Sequence, residues 1–263
     1  MNYFLSITAS VILLFTSCKK DDAPAYDKTV KAELSVEFDN IVGGADLVLN
    51  TGSYINGASE TFTVTKLKYY VSNFILTKSD NTVYTVPKDS CYFLIDESDE
   101  STHEPILRVP EGEYKTLSFV LGVDSLKSTA DISARTGTLD PTGDGGDMYW
   151  GWNSGYIFFK MEGTSASASM GGEFMYHIGG FGGYSSPTLN NLKTITLDLT
   201  ARGVPQVKQG KETNIHLMVD ILKMFDGTSN VSIAASPMVM FEPYSADIAK
   251  NLAAMFRHDH TEN

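Results

Sequence analysis

The chain has 263 residues, and its 32 acidic side chains outnumber its 20 basic ones to give a net charge of −12. Phosphate binding needs concentrated positive charge, and no Lys or Arg cluster occurs after residue 20, so the composition argues against a nucleic-acid partner. The chain from about residue 29 onward suits one β-rich domain with an ordinary core.

The N-terminus predicts an export signal and a lipid anchor. Tyr3 to Phe15 is mostly apolar but too short to cross a bilayer, which needs about 20 residues. Small residues precede Cys18, as in a lipoprotein cleavage site. We therefore predict a lipoprotein signal peptide at 1–17, a lipidated tether at 18–29 with the lipid on Cys18, and one domain at 30–263. The segment "KKDDAP" after the cysteine resembles the tethers of surface lipoproteins, which indicates the outer face of an outer membrane.

Strand patterns occupy most of the remaining chain. Lys31 to Phe38 alternates strictly between polar and apolar residues, which predicts a half-buried strand. The same period of two returns in several later segments, and shorter apolar runs lie between turn residues. The further strand candidates are 47–49, 62–76, 83–86, 92–95, 115–124, 156–161, 173–178, 191–200, 213–221 and 231–241.

These patterns predict an all-β protein. Short strands separated by Gly, Asn, Asp and Pro favour antiparallel pairing, because parallel strands need crossover connections for which the sequence offers no helices. We expect an antiparallel β-sandwich, immunoglobulin-like or jelly-roll-like, with a short C-terminal helix. Ser245 can cap that helix, and Ile248, Leu252, Met255 and Phe256 recur at helical spacing.

Familiar enzyme signatures are missing from the sequence. It contains no G-x-S-x-G elbow, no Walker loop, no H-E-x-x-H helix and no Cys-x-x-Cys pair. We therefore expect a binding protein rather than an enzyme.

Both tryptophans lie in "MYWGWNSGYIFFKMEG", which runs from Met148 to Gly163. If this stretch is extended, the period of two places Trp150 and Trp152 on one face as a single aromatic surface. Core packing and a binding site both explain such a surface.

Five histidines supply the possible nitrogen ligands. His177 lies in the strand candidate 173–178, between two glycine-rich segments. His216 lies on the polar face of its predicted strand, where a solvated imidazole is expected. His258 and His260 follow the C-terminal helix and can converge on one ion if the tail is extended. Copper accepts imidazole and thioether donors, so Met148 beside the tryptophans is a possible soft donor.

Four segments of the chain resemble one family. They are "LKYYVSNFIL" (67–76), "VPEGEYKTLSFVLGVD" (109–124), "MYWGWNSGYIFFKMEG" (148–163) and "FMYHIGG" (174–180). In this order they resemble the MbnP-like copper-binding proteins, a family of methanobactin-associated periplasmic and surface copper proteins. The resemblance covers nearly the whole predicted domain at 30–263 and implies a predominantly β fold.

The resemblance also implies a copper site made of histidines and an oxidised tryptophan. An indole nitrogen is a poor ligand because its lone pair belongs to the ring, whereas ring opening to kynurenine creates an amine and a ketone that can donate. Trp150 and Trp152 are the possible oxidised ligands, and a di-haem, peroxidase-like partner is the expected oxidant. His177 matches the Phe-x-x-His-Ile/Leu-Gly stretch of the family, and His258 and His260 are the other possible metal ligands.

Our first hypothesis is a surface or periplasm-facing lipoprotein that binds copper for storage or uptake. The alternative is a lipid-anchored recognition module in which Tyr149, Trp150, Trp152 and Tyr156 form an aromatic platform for a glycan or a protein. A third interpretation is that the tryptophans only pack the core.

Overall fold

The computed structural model describes residues 26–143, 145–152, 155–169 and 171–263. The predicted signal peptide, Cys18 and most of the predicted tether lie outside the described residues. Within these ranges, no helix combines the length and the apolar character needed to span a bilayer.

Two β-sheets pack face to face, and short helices lie between strands along the chain. The elements of the described ranges are β1 Lys31–Val42, β2 Ala45–Asp46, β3 Tyr54–Ile55, β4 Thr61–Lys78, β5 Val83–Thr85, β6 Tyr92–Asp96, β7 Ile106–Pro110, β8 Gly112–Leu121, α1 Ser125–Ser128, β9 Tyr149–Trp150, β10 Gly155–Thr164, β11 Glu173–Gly179, β12 Lys193–Asp198, β13 Gln206–Val207, β14 Asn214–Asp220, α2 Leu222–Phe225, β15 Met238–Val239, α3 Ser245–Leu252 and β16 Phe256–Glu262.

The small sheet has the strand order β16-β14-β1-β2, and β7 also pairs with β1. Strand β1 keeps the predicted alternation, so Leu34, Val36 and Phe38 are buried while the residues between them face outward. Strand β14 runs parallel to β1 and antiparallel to β16. Since β14 lies between them, side chains from three strands meet on the outer face of this sheet.

The large sheet has the order β12-β8-β4-β10-β11-β15. Strands β3, β5 and β6 also pair with β4, β13 pairs with β8, and β9 pairs with β10. Aromatic rings from both sheets fill the core between them. Phe38 of the small sheet lies 5.7 Å from Phe119 of the large sheet, and Phe119 lies 5.2 Å from Phe256 of β16. Both pairs meet edge to face, the arrangement that aromatic quadrupoles favour.

A second apolar cluster covers the other face of the large sheet. Tyr69 belongs to the main core and its neighbour Tyr70 to this second cluster, because successive strand residues point to opposite faces. Met148, Trp150 and Phe158 belong to the same cluster. The segment that carries the tryptophans therefore packs on the outside of the sandwich.

The predicted β-sandwich with a short C-terminal helix is confirmed, and its sheets are mixed rather than purely antiparallel. The pairs β1–β14 and β11–β15 are parallel. The parallel strands β1 and β14 need no helix to connect them. The strands of the large sheet lie between them in the sequence and make the connection.

The C-terminus differs from its prediction. Helix α3 ends at Leu252, and Phe256 enters a strand that pairs with β14. Its ring packs against Phe38 and Phe119, so burial in the core overrides the helical spacing. Ser245 does not cap the helix, since its hydroxyl donates to the carbonyl oxygen of Glu242.

Two strand predictions were wrong. Residues 47–49 form no strand, and of 231–241 only Met238 and Val239 do. The buried Glu60 explains the second case, because its carboxylate accepts hydrogen bonds from the backbone N–H groups of Ile233 and Ala234 at 2.7 and 2.9 Å. These bonds hold the backbone in a turn.

Candidate metal centre

The outer face of the small sheet carries a row of polar side chains across three strands. Ile215 and Leu217 of β14 point into the core, so His216 between them points outward. The parallel register places Glu37 of β1 beside His216, and the antiparallel register places His260 of β16 on its other side. Sheet pairing therefore positions this row.

A bulge in β16 adds Asp259 to the row. His216 pairs with His260 and Leu217 pairs with His258, so Asp259 has no residue opposite it. An extra residue of this kind turns the side chains before and after it to different faces. His258 consequently points inward with 8% of its surface exposed, while the side chain of His260 is 45% exposed.

His216, Asp259 and His260 form the metal cluster. One ligand atom from each lies within 4.8 Å of the others, and no other group of three or more His, Cys, Asp or Glu side chains in the described ranges does so. The imidazole rings of His216 and His260 are 4.7 Å apart between centroids and tilted by 30°.

The two oxygens of Asp259 have different partners. Oδ1 lies 3.1 Å from Arg257 Nη1, and Oδ2 lies 2.9 Å from Nδ1 of His260 and 3.7 Å from Nδ1 of His216. The hydrogen bond with His260 lowers the pKa of Asp259 and raises the pKa of His260. Asp259 therefore presents an ionised oxygen to both imidazoles.

His216 has no hydrogen bond at its buried Nδ1 atom. Its Nε2 atom lies 3.8 Å from Glu37 Oε1 and 3.6 Å from Asp39 Oδ2. Hydrogen bonds of this type span about 2.7–3.2 Å, so carboxylates surround this ring without bonding to it. Two ligands of one metal ion lie at such separations, and the nitrogen and oxygen donors suit Cu(II), Ni(II) or Zn(II).

The structure does not bring His258 and His260 together. The Nε2 atom of His258 lies 3.0 Å from Thr261 Oγ1, and burial lowers the pKa of His258. The expectation that this pair converges on one ion fails because the bulge separates the two rings.

His177 lies on the outer face of the large sheet rather than in the metal cluster. Its Nε2 atom is 2.8 Å from Glu162 Oε1, and Glu162 lies 3.7 Å from Lys160 Nζ. Lys160 also contacts Asp147 Oδ1 at 2.5 Å. Burial lowers the pKa of His177, although the hydrogen bond with Glu162 opposes that effect. The Nε2 atom of His177, which the resemblance names as a possible metal ligand, is therefore held in a hydrogen bond.

The two tryptophans differ in exposure. Trp150 is 5% exposed and Trp152 is 66% exposed, because β9 ends at Trp150 and the chain then turns. Their rings still touch, with centroids 5.4 Å apart. Met148 is fully buried in the same cluster as Trp150, which makes it packing rather than an open soft donor.

The expected aromatic platform does not form. Trp150 and Tyr156 are buried and Tyr149 is half-buried, so Trp152 is the exposed ring of the four. Trp150 lies against Gly179, where an added Cβ would come within 2.8 Å of the indole. This glycine therefore allows the close approach of the ring to β11.

The MbnP family model matches residues 31–241 of the chain. The chain belongs to the MbnP family. A solved structure, MbnP from Methylosinus trichosporium, is similar in fold with a TM-score of 0.54 and 15% sequence identity, over 81% of this chain and 82% of that one. A comparison with curated proteins found no match.

The MbnP match includes both tryptophans, His177 and His216, but it ends before Asp259 and His260. Two of the three residues of the metal cluster therefore lie beyond the matched region. The sequence did not predict this cluster because its helical spacing continues to Phe256, where β16 begins. The period of two gave no signal for it, because strict alternation in "FRHDHTE" would place His258 and His260 on one face and Asp259 on the other.

Proposed function

We propose that this MbnP-family protein binds copper and that His216, Asp259 and His260 hold the ion. The observation that supports this function is the buried Nδ1 atom of His216, which has no hydrogen bond and lies 3.7 Å from Asp259 Oδ2. A buried polar atom without a partner costs free energy, and a metal ion at this place would remove that cost.

Copper is the metal proposed for three reasons. The chain belongs to the MbnP family, and the family resemblance implies copper. The donors are two imidazoles and a carboxylate, which suit Cu(II). Among divalent first-row ions, a site of nitrogen and oxygen donors binds Cu(II) most tightly. The proposed role is storage or uptake rather than catalysis.

The export and oxidation parts of the hypothesis belong to the same proposal. The protein is a lipoprotein anchored in the outer membrane through Cys18, and a di-haem, peroxidase-like enzyme oxidises one of its tryptophans. Trp152 is the accessible substrate for such an enzyme because it is 66% exposed. The intact mass of the protein from its own host tests both parts, since the lipid adds its mass at Cys18 and conversion of tryptophan to kynurenine adds one oxygen atom and removes one carbon atom.

Copper titration of the metal-free protein tests the metal cluster. His216→Gln removes one of three ligands, and we expect copper affinity to fall by at least about 100-fold, the upper end of what loss of a supporting residue costs. The matched control is His177→Gln, which can keep the hydrogen bond to Glu162 and should leave copper affinity unchanged. Equal losses in both variants, or no tight binding in the unaltered protein, would overturn the proposal.

A further inference from the structure

We infer that residues 259–262 of β16 form a movable part of the metal site, which copper fixes on β14 and whose detachment releases the ion. This inference rests on the proposed copper binding, and it adds how the site takes up and releases its cargo. Residues 259–262, called the ligand segment below, carry two of the three ligands, Asp259 and His260. The third ligand, His216, belongs to β14.

His216 is the fixed ligand of the site. Strand β14 pairs with β16 on one side and with β1 on the other, so backbone hydrogen bonds hold it along both edges. Its residues Ile215 and Leu217 are fully buried in the core. Backbone that is paired on both sides and anchored by buried apolar side chains opens only when much of the domain unfolds. His216 therefore keeps its place with or without an ion.

The ligand segment lacks both kinds of support. Strand β16 lies at the end of the small sheet and, within the described ranges, pairs with β14 alone. Phe256 is the only apolar residue of β16, and it lies at the start of the strand, before the bulge at Asp259. The bulge also interrupts the ladder of backbone hydrogen bonds. A single strand partner and no buried apolar contacts are features of backbone that opens locally.

Polar contacts at the surface hold the ligand segment in place. Arg202, whose side chain is 60% exposed, donates to the backbone carbonyl oxygen of Asp259 at 3.3 Å. Directly after the segment, the side chain of Asn263 accepts a hydrogen bond from the N–H of Gln206 at 2.6 Å and donates to the carbonyl oxygen of Val204 at 3.1 Å. Such contacts stabilise the closed segment only modestly, because water competes for the same groups.

A bound ion supplies the link that the ligand segment lacks. Asp259 Oδ2 lies 3.7 Å from Nδ1 of His216, and this nitrogen has no hydrogen bond. An ion bound to both atoms joins β16 to β14 through their side chains. Because the complete ligand set exists only when the segment is closed, copper and the closed segment stabilise each other. When the segment detaches, the ion keeps His216 alone and dissociates without any change of oxidation state.

Hydrogen exchange measured by mass spectrometry tests this inference, with Cu(II) alone as the probe. In the metal-free full chain, the amides of the ligand segment should exchange at least about tenfold faster than those of β4 in the middle of the large sheet. Stoichiometric Cu(II) should slow the segment by at least about tenfold and leave β4 unchanged. A segment that is already as slow as β4 without metal, or that copper does not slow, would overturn the inference and leave the proposed function intact. Absence of any tightly bound Cu(II) would overturn the proposed function itself.

Asn263→Ala weakens the closed segment without changing a ligand. This variant loses the hydrogen bonds to Gln206 and Val204, so transfer of Cu(II) to an added chelator should become at least about fivefold faster. Gln209→Ala is the matched control, because it removes an exposed amide side chain from the same loop while the bonds of Asn263 remain, and it should release copper at the unaltered rate. An unchanged release rate in Asn263→Ala, or an equal acceleration in both variants, would overturn the inference.

Discussion

The outer faces of the two sheets carry imidazoles in opposite situations. On the large sheet, His177 bonds to Glu162 at 2.8 Å, and Lys160 stands between the carboxylates of Asp147 and Glu162. On the small sheet, carboxylate oxygens lie 3.6–3.8 Å from the nitrogens of His216, and one of these nitrogens has no hydrogen bond. The first group is closed by its own hydrogen bonds, whereas the second is open to an ion.

This difference shows what makes an imidazole a candidate ligand. His177 and His216 both lie inside the MbnP match, yet the partners of each ring favour His216 as a ligand. A nitrogen already held in a short hydrogen bond must lose that bond to bind metal, while an unpaired nitrogen loses nothing. This difference supports a structural role for the large-sheet face and the proposed binding role for the small-sheet face.

Removing Trp150 should have the largest effect on stability. Its ring is 5% exposed and contacts Gly179, Trp152 and Phe241. Trp150→Ala should lower the free energy of unfolding by about 3–5 kcal/mol through the cavity it leaves. Urea denaturation measures this loss, and copper affinity of the folded variant should stay unchanged.

Trp152→Ala is the control for the buried ring. Because Trp152 is 66% exposed, its removal should cost less than about 1 kcal/mol. Equal losses for both tryptophans would contradict the difference in burial. Loss of copper binding in folded Trp150→Ala would instead place the metal on the large sheet and break the comparison.

Replacing Lys160 should have the next largest effect. Its side chain is 7% exposed, and Lys160→Met leaves the carboxylates of Asp147 and Glu162 without their buried cation. Breaking a fully buried pair costs about 3–5 kcal/mol, but Asp147 is 42% exposed, so we expect about 2 kcal/mol by urea denaturation.

Lys66→Met gives the matched comparison for that network. Lys66 also contacts Asp147, at 3.3 Å, but its side chain is 36% exposed. Its replacement should cost less than about 1 kcal/mol, as is usual for exposed ion pairs. If Lys66→Met proved as costly as Lys160→Met, burial would not be what strengthens the contact with Asp147.

The sequence predicted the sandwich well because its strands alternate so regularly. Lys31 to Phe38 and Asn214 to Asp220 lie in strands and have the predicted inward faces. The metal cluster was not predictable by the same means, because it depends on a bulge at Asp259 and on a parallel pair between distant strands. Pattern alone fixes which face a residue takes within one strand, and it does not fix which strands become neighbours.

The smallest expected effect is on the pH dependence of stability without metal. His177 on the large sheet and His260 on the small sheet contribute to it with opposite signs. Burial lowers the pKa of His177 below its ordinary 6.5, so the unfolded chain takes up its proton first as the pH falls. The stability that neutral His177 contributes is therefore present above about pH 6.5 and is lost as the pH falls toward the folded pKa. Asp259 raises the pKa of His260, so that contribution is present below about pH 6.5 and is lost as the pH rises through the raised value.

Proton NMR of the imidazole rings checks these directions, and urea midpoints at about pH 5 and about pH 7.5 check their signs. His177→Gln should make stability less sensitive to acid, and His260→Gln should make it more sensitive. Cu(II) competes with the proton at a ligand, so adding it should abolish the titration of His260 and leave that of His177 in place. If copper abolished the titration of His177 instead, the closed network on the large sheet would have to open for the metal, and the assignment of the two faces would be reversed.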